Sequence, residues 1–135
     1  MSPGTGAGFV LVVDVANVMG SRPDGWWRDR AGAASRLMAS LVPLVAARVS
    51  APEGEPIELN RIVAVIEGQA RKATAPPELE VVAAPADGDT AIVAIARDVL
   101  AEGEIPLVVT ADRGLRERLP AGSRIAGPRW LLDLL

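Results

Sequence analysis

Apolar and polar positions follow two rhythms along this chain. Phe9 to Val15 is apolar throughout except at Asp14, the pattern of a strand buried on both faces. Arg61 to Ile66, Leu79 to Ala83 and Pro106 to Thr110 repeat it in shorter form, and Ser123 to Ala126 could be a minimal fifth strand. Between these runs the spacing becomes helical. From Trp26 to Val49, apolar positions recur at Trp27, Ala31, Ala34, Met38, Leu41 and Val45, with Pro43 predicting a kink or break near Ala39 to Val42. Asp89 to Ala101 sets Ile92, Ile95, Ala96 and Val99 on one face, with Gly103 as its stop. Ala111 to Leu119 reads as a short helix stopped by Pro120, and Pro128 opens a last helix in which Trp130, Leu131, Leu134 and Leu135 pack back. Asn17 to Gly25, Ser50 to Glu58 and Gln69 to Glu78 read as connections, with Asp24 a candidate helix cap.

Strands alternating with helices predict right-handed crossovers and a parallel α/β sheet. At 135 residues the chain is expected to form one domain over 9–135, behind a flexible tail over 1–8. Half of the residues are apolar but only 3% are aromatic, so the core must be Val, Ile, Leu and Ala. The chain has no Cys and no His, which removes disulfides, thiolate chemistry, the common zinc ligands and the usual general base. Any metal must be held by oxygen. The segment 4–8 is glycine-rich but precedes a strand, so it is not a dinucleotide-binding turn. No apolar run approaches the roughly 18 residues of a membrane span, and the N-terminus lacks signal-peptide features. The expectation is a cytoplasmic protein with no membrane partner.

The carboxylates change the picture. Four apolar runs end in acids: Asp14 after Val13, Glu67 after Ile66, Asp87 and Asp89 after the run to Ala86, and Asp112 after Ala111. In a parallel sheet, ligands bind beyond the carboxyl ends of the strands, so these acids are expected to meet at one edge. Carboxylates gathered without a neutralising cation repel one another, and a hard divalent ion is the usual remedy. Each acid also has a plain structural reading. Asp14 can bond backbone amides in its turn, Asn17 can make an Asx-turn, Asp89 and Asp112 can cap helices, Asp87 can be a turn residue and Glu67 a solvated strand end.

Three motifs in order, V-V-D-V-A-N at 12–17, D-G-D-T-A-I at 87–92 and V-V-T-A-D-R-G-L at 108–115, resemble the acidic motifs of the PIN-like nuclease superfamily, closest to its NYN (YacP-like) branch. The resemblance implies a three-layer, Rossmann-like α/β fold with four or five parallel strands in the order 3-2-1-4-5. It further implies metal-dependent cleavage of RNA or flap-like DNA. Carried over motif by motif, Asp14, Asp89 and Asp112 would bind Mg²⁺ or Mn²⁺, with Asn17 as a neutral hydrogen-bonding member. Asp87 and Glu67 would be further ligands. The chain departs from the family where a second acid often follows the strand-four Asp, since Arg113-Gly114 stands there. No clear equivalent appears of the acid that many relatives carry on the helix after strand one or two.

The net charge of −3 gives no global attraction for RNA, but arginines are unevenly placed around the acids. Arg22, Arg28 and Arg113 are the candidate phosphate contacts, and Trp26 the candidate base-stacking ring. Trp27 is expected in the core, anchoring its helix, and Trp130 in packing. The expected function is a metal-dependent RNA endonuclease, with RNA as partner and a homodimer left open. Two alternatives stand beside it: a nucleoside triphosphate phosphohydrolase using the same acids, and a non-catalytic RNA- or protein-binding domain.

Overall fold

The computed structural model describes residues 8–135, so the expected tail lies, Gly8 apart, outside the described residues. Six strands form one sheet: β1 (Phe9–Asp14), β2 (Arg48–Ser50), β3 (Pro56–Ile66), β4 (Glu80–Ala83), β5 (Ile105–Val109) and β6 (Arg124–Ala126). The parallel part runs β4-β3-β1-β5-β6. Counting only the five strands expected from sequence, that is the order 3-2-1-4-5. β1 is central, and Leu11 pairs with Ile62 on one side and Leu107 on the other.

Helices cover both faces, because β1 alternates and sends its side chains to two cores. Leu11 and Val13 meet Val18, Leu37, Met38 and Leu131, carried by α1 (Val15–Gly20), α2 (Arg30–Leu41) and α5 (Pro128–Leu132). Val10 and Val12 meet Ile92, Val93, Val99 and Leu115, carried by α3 (Gly88–Ala101) and α4 (Arg113–Arg118). These are the three layers of a Rossmann-like domain. No described helix is long and apolar enough to cross a membrane.

Four local expectations need correction. Asn17 to Gly25 is not all loop: the Asp14 carboxylate caps a six-residue α1 whose Val15, Val18 and Met19 are buried. The helix expected from Trp26 starts only at Arg30, because Asp29, not Asp24, supplies the cap, accepting the Gly32 amide at 2.9 Å. It ends at Leu41, where Pro43 forces a 3₁₀ turn over Val42–Leu44. Val45 to Val49 is therefore not helical, and β2 follows. The loop expected up to Glu58 is instead a hairpin: Pro56 to Asn60 alternates exposed and buried, and Arg48–Ser50 pairs antiparallel with Pro56–Glu58. Gly54, at φ +100°, makes its turn.

Because Leu11 is fully buried at the centre of the sheet, Leu11→Ala should lower the unfolding free energy by about 3 kcal/mol. Urea denaturation at unchanged slope checks this, and a loss below about 1 kcal/mol would contradict the packing described.

Candidate active site

β1 ends at Asp14, one of two polar side chains among the described residues that are buried; Thr110 is the other. The two are bonded to each other. Asp14 Oδ2 accepts the Thr110 hydroxyl at 3.0 Å, and Asp14 Oδ1 accepts the Asn17 amide at 3.3 Å. Thr110 Oγ1 in turn accepts the Asp112 amide at 3.1 Å. Asn17 reaches across in the other direction, its Oδ1 accepting the Ala111 amide at 2.8 Å. Arg116 closes the corner, with Nε and Nη2 both donating to the Thr110 carbonyl at 2.9 and 2.6 Å. The carboxyl ends of β1 and β5 are thus joined by side chains where the sheet ladder stops.

The other acids approach from α4, α3 and β3. Asp112 caps α4, its Oδ1 accepting the Leu115 amide at 3.0 Å. Asp87, not Asp89, caps α3, accepting the Thr90 amide at 3.0 Å. Asp89 lies in the first turn of α3, free of capping. Glu67, half-buried at the end of β3, accepts the Gly88 amide at the start of α3. Gly88 lets the Glu67 carboxylate come this close: a Cβ there would stand 2.5 Å from it and would push the Glu67 side chain aside.

Burial, and after it the neighbouring charges, shift Asp14 and Asp89 from their ordinary values. Burial pushes Asp14 up to about 6; the bonds from Thr110 and Asn17 pull the other way, and the charges of Glu67 and Asp89 add to the rise. Asp89 is also raised, by burial and then by Asp112 and Asp87, with Arg118 partly offsetting them. Asp87 is lowered, chiefly by its Thr90 amide. None of the described ion pairs involves Asp14, Glu67, Asp89 or Asp112. These acids therefore lie within reach of one another's fields, and none of them is in a salt bridge, Arg118 acting on Asp89 only at a distance. Their spacing is open, for among the described residues no three acids stand close enough to enclose a metal ion. Any ion there would be held by one or two carboxylates and several waters rather than by a closed protein cage.

Beside Asn17 and Ala111 lies an open hollow of about 340 Å³, also lined by Gly20, Ser21 and Pro128. Of the basic and aromatic candidates, only Arg113 is next to the acids, as the exposed first residue of α4. Arg22 and Trp26 instead line a small cavity between α1 and α2, with room for about one water. The expectation for Trp27 was wrong: it is 54% exposed, while Trp26 packs half-buried against the core. The 3₁₀ turn over Trp26–Arg28, entered through Gly25 at φ +77°, leaves Trp26 inward and Trp27 outward. Trp130 packs as expected, its indole N–H donating to the Ser50 carbonyl at 3.0 Å. Sequence reasoning passed over Thr110 and Gly88. The signal for Thr110 was a hydroxyl ending an apolar strand two residues before an Asp.

No family model matches the chain, and no curated protein matches it in sequence. Among solved structures, that of a mutant of Rae1 (YacP) from Bacillus subtilis superposes with a TM-score of 0.70, covering 93% of this chain and 73% of that one. The two share one fold. At 19% identity the likeness extends to the fold alone. The name YacP is also that of the branch which the three acidic motifs resemble.

Asp14→Asn tests the electrostatics. A carboxyl with a raised pKa favours the folded state when protonated, and this contribution, fully present below about pH 4, is lost as pH rises through about 6. In chelator, Asp14→Asn should therefore be more stable than wild type at pH 8 by roughly 1–3 kcal/mol, the gain fading towards pH 4. Urea midpoints at the two pH values check it; a gain independent of pH would contradict the raised pKa.

Proposed function

We propose that the chain is a nuclease that cleaves RNA with the help of Mg²⁺ or Mn²⁺ held at the carboxyl ends of β1 and β5 and the start of α3. The observation that carries this reading is Asp14, a buried carboxylate held by Thr110 and Asn17, beside other acids and paired with no cation. Sharing a fold with Rae1 (YacP), together with the three motifs, supports the same reading.

In this reading Asp14 and Asp89 are the principal metal ligands, and Asp112, Asp87 and Glu67 lend negative charge or water-mediated contacts. When bound, the ion supplies a more acidic attacking water and charge stabilisation at the leaving oxygen. The protein's own part is positional. Thr110 and the Asn17 amide aim the Asp14 carboxylate, so its charge is fixed before substrate arrives. Asn17 is itself held by the Ala111 amide, which sets the wall of the adjoining hollow. Arg113, beside Asp112 and exposed, is placed to meet a phosphate of the chain being cut.

A second reading is favoured by one observation: the acids do not close around an ion. A domain of this fold that binds RNA without cutting it would tolerate such spacing.

Asp89→Asn separates the two, since Asp89 caps nothing and its loss should leave the fold intact. With Mn²⁺, wild type should cleave single-stranded RNA and Asp89→Asn should be slower by roughly a hundredfold or more. Millimolar Mg²⁺ should raise the melting temperature of wild type more than that of the variant. Equal cleavage by both, from identical preparations, would sink the nuclease reading, because it would identify a contaminant.

A further inference from the structure

Trp27 is the feature that the proposed chemistry leaves unexplained. It and Leu135 are the exposed large hydrophobic side chains among the described residues. Trp27 is not a loose ring. Its neighbour Trp26, half-buried against the core, meets it edge-on at 6.1 Å between centroids with an interplanar angle of 88°. The Arg28 guanidinium lies over the Trp27 ring, 5.8 Å from its centroid, and Arg30 lies 5.3 Å from that of Trp26.

Beside Trp27 opens a groove of about 350 Å³ lined by Arg28, Arg30, Gln69 and Lys72. Asp29 also lines it, but its carboxylate is committed to the Gly32 amide at the start of α2. Three cations thus face one engaged anion around an exposed indole, in a protein whose net charge is negative. The position is as informative as the composition. Gln69 and Lys72 belong to the 3₁₀ turn Gly68–Lys72, which starts directly after Glu67, one of the crevice acids. The groove and the acidic crevice therefore both lie beyond the carboxyl end of β3.

We infer that this groove is a binding subsite for single-stranded RNA, in which one base stacks on Trp27 and the flanking phosphates meet Arg28, Arg30 and Lys72. It rests on the reading of the chain as an RNA-acting protein, and it moves base stacking from Trp26 to Trp27. Stacking on an exposed ring is indifferent to base identity, and cations at the rim follow the backbone. Duplex RNA keeps its bases stacked inside and gains only the electrostatic part. Strands held here would run from the groove past Glu67 towards Asp14.

The test is fluorescence anisotropy of a labelled uridine oligomer and of a duplex of equal length, in chelator so that nothing is cut. Trp27→Ala should weaken oligomer binding roughly five- to a hundredfold and leave duplex binding nearly unchanged. Lys72→Gln should reduce the dependence of log K on log salt by about 0.7. Both side chains are exposed, so melting temperatures should match wild type. Unchanged oligomer binding in Trp27→Ala overturns the subsite, as does an equal loss for oligomer and duplex. Because no cleavage is read, Asp89→Asn can lose activity while the groove fails, or the groove can hold while the nuclease reading fails.

Discussion

A carboxylate shielded from water needs hydrogen-bond donors, and Asp14 has two, from opposite directions. The Asn17 amide comes from its own chain, where the strand turns into α1; the Thr110 hydroxyl comes from the end of β5, ninety-six residues away. Through Thr110 the link reaches the Asp112 amide, and through Asn17 it reaches that of Ala111. The start of α1, the exit of β5 and the cap of α4 are thereby placed by one connected set of bonds. Breaking it would leave a buried charge with no partner, so the two strand ends are held in register by more than the ladder.

That arrangement is electrostatically unfinished. Hydrogen bonds lower the Asp14 pKa, yet burial and the acids nearby outweigh them. Glu67 and Asp87 each take up an amide at the start of α3, which turns that helix end towards the same crevice. The fold supplies orientation here and leaves the charge only partly compensated, by Arg118 at Asp89.

Much of this was readable from the chain. Four of the five strands of the parallel sheet announced themselves as apolar runs ending in acids, and the order 3-2-1-4-5 followed from the family resemblance. What was missed is local. Six-residue α1 is too short to show a helical period, and it exists because Asp14 caps it. The β2–β3 hairpin hid behind Pro52 and Pro56, although Ile57, Glu58, Leu59 and Asn60 alternate as a half-exposed strand should. Asp87 and Asp89, two residues apart, compete for one cap, and only the geometry of the α3 start decides that Asp87 takes it. Trp26 and Trp27 are adjacent and identical, so no pattern could say which ring turns inward.

The central claim is that a divalent ion binds where Asp14 and Asp89 face each other's fields. Titrating Mn²⁺ into isotopically labelled protein tests it most directly, because the paramagnetic ion broadens amide signals nearest to it. The amides of Asn17, Gly88, Asp89 and Asp112 should fade first and together, and should recover on adding chelator. Signals that fade first around the surface carboxylates Glu53, Glu55, Glu102 or Glu104, with the strand-end amides left sharp, would contradict the account.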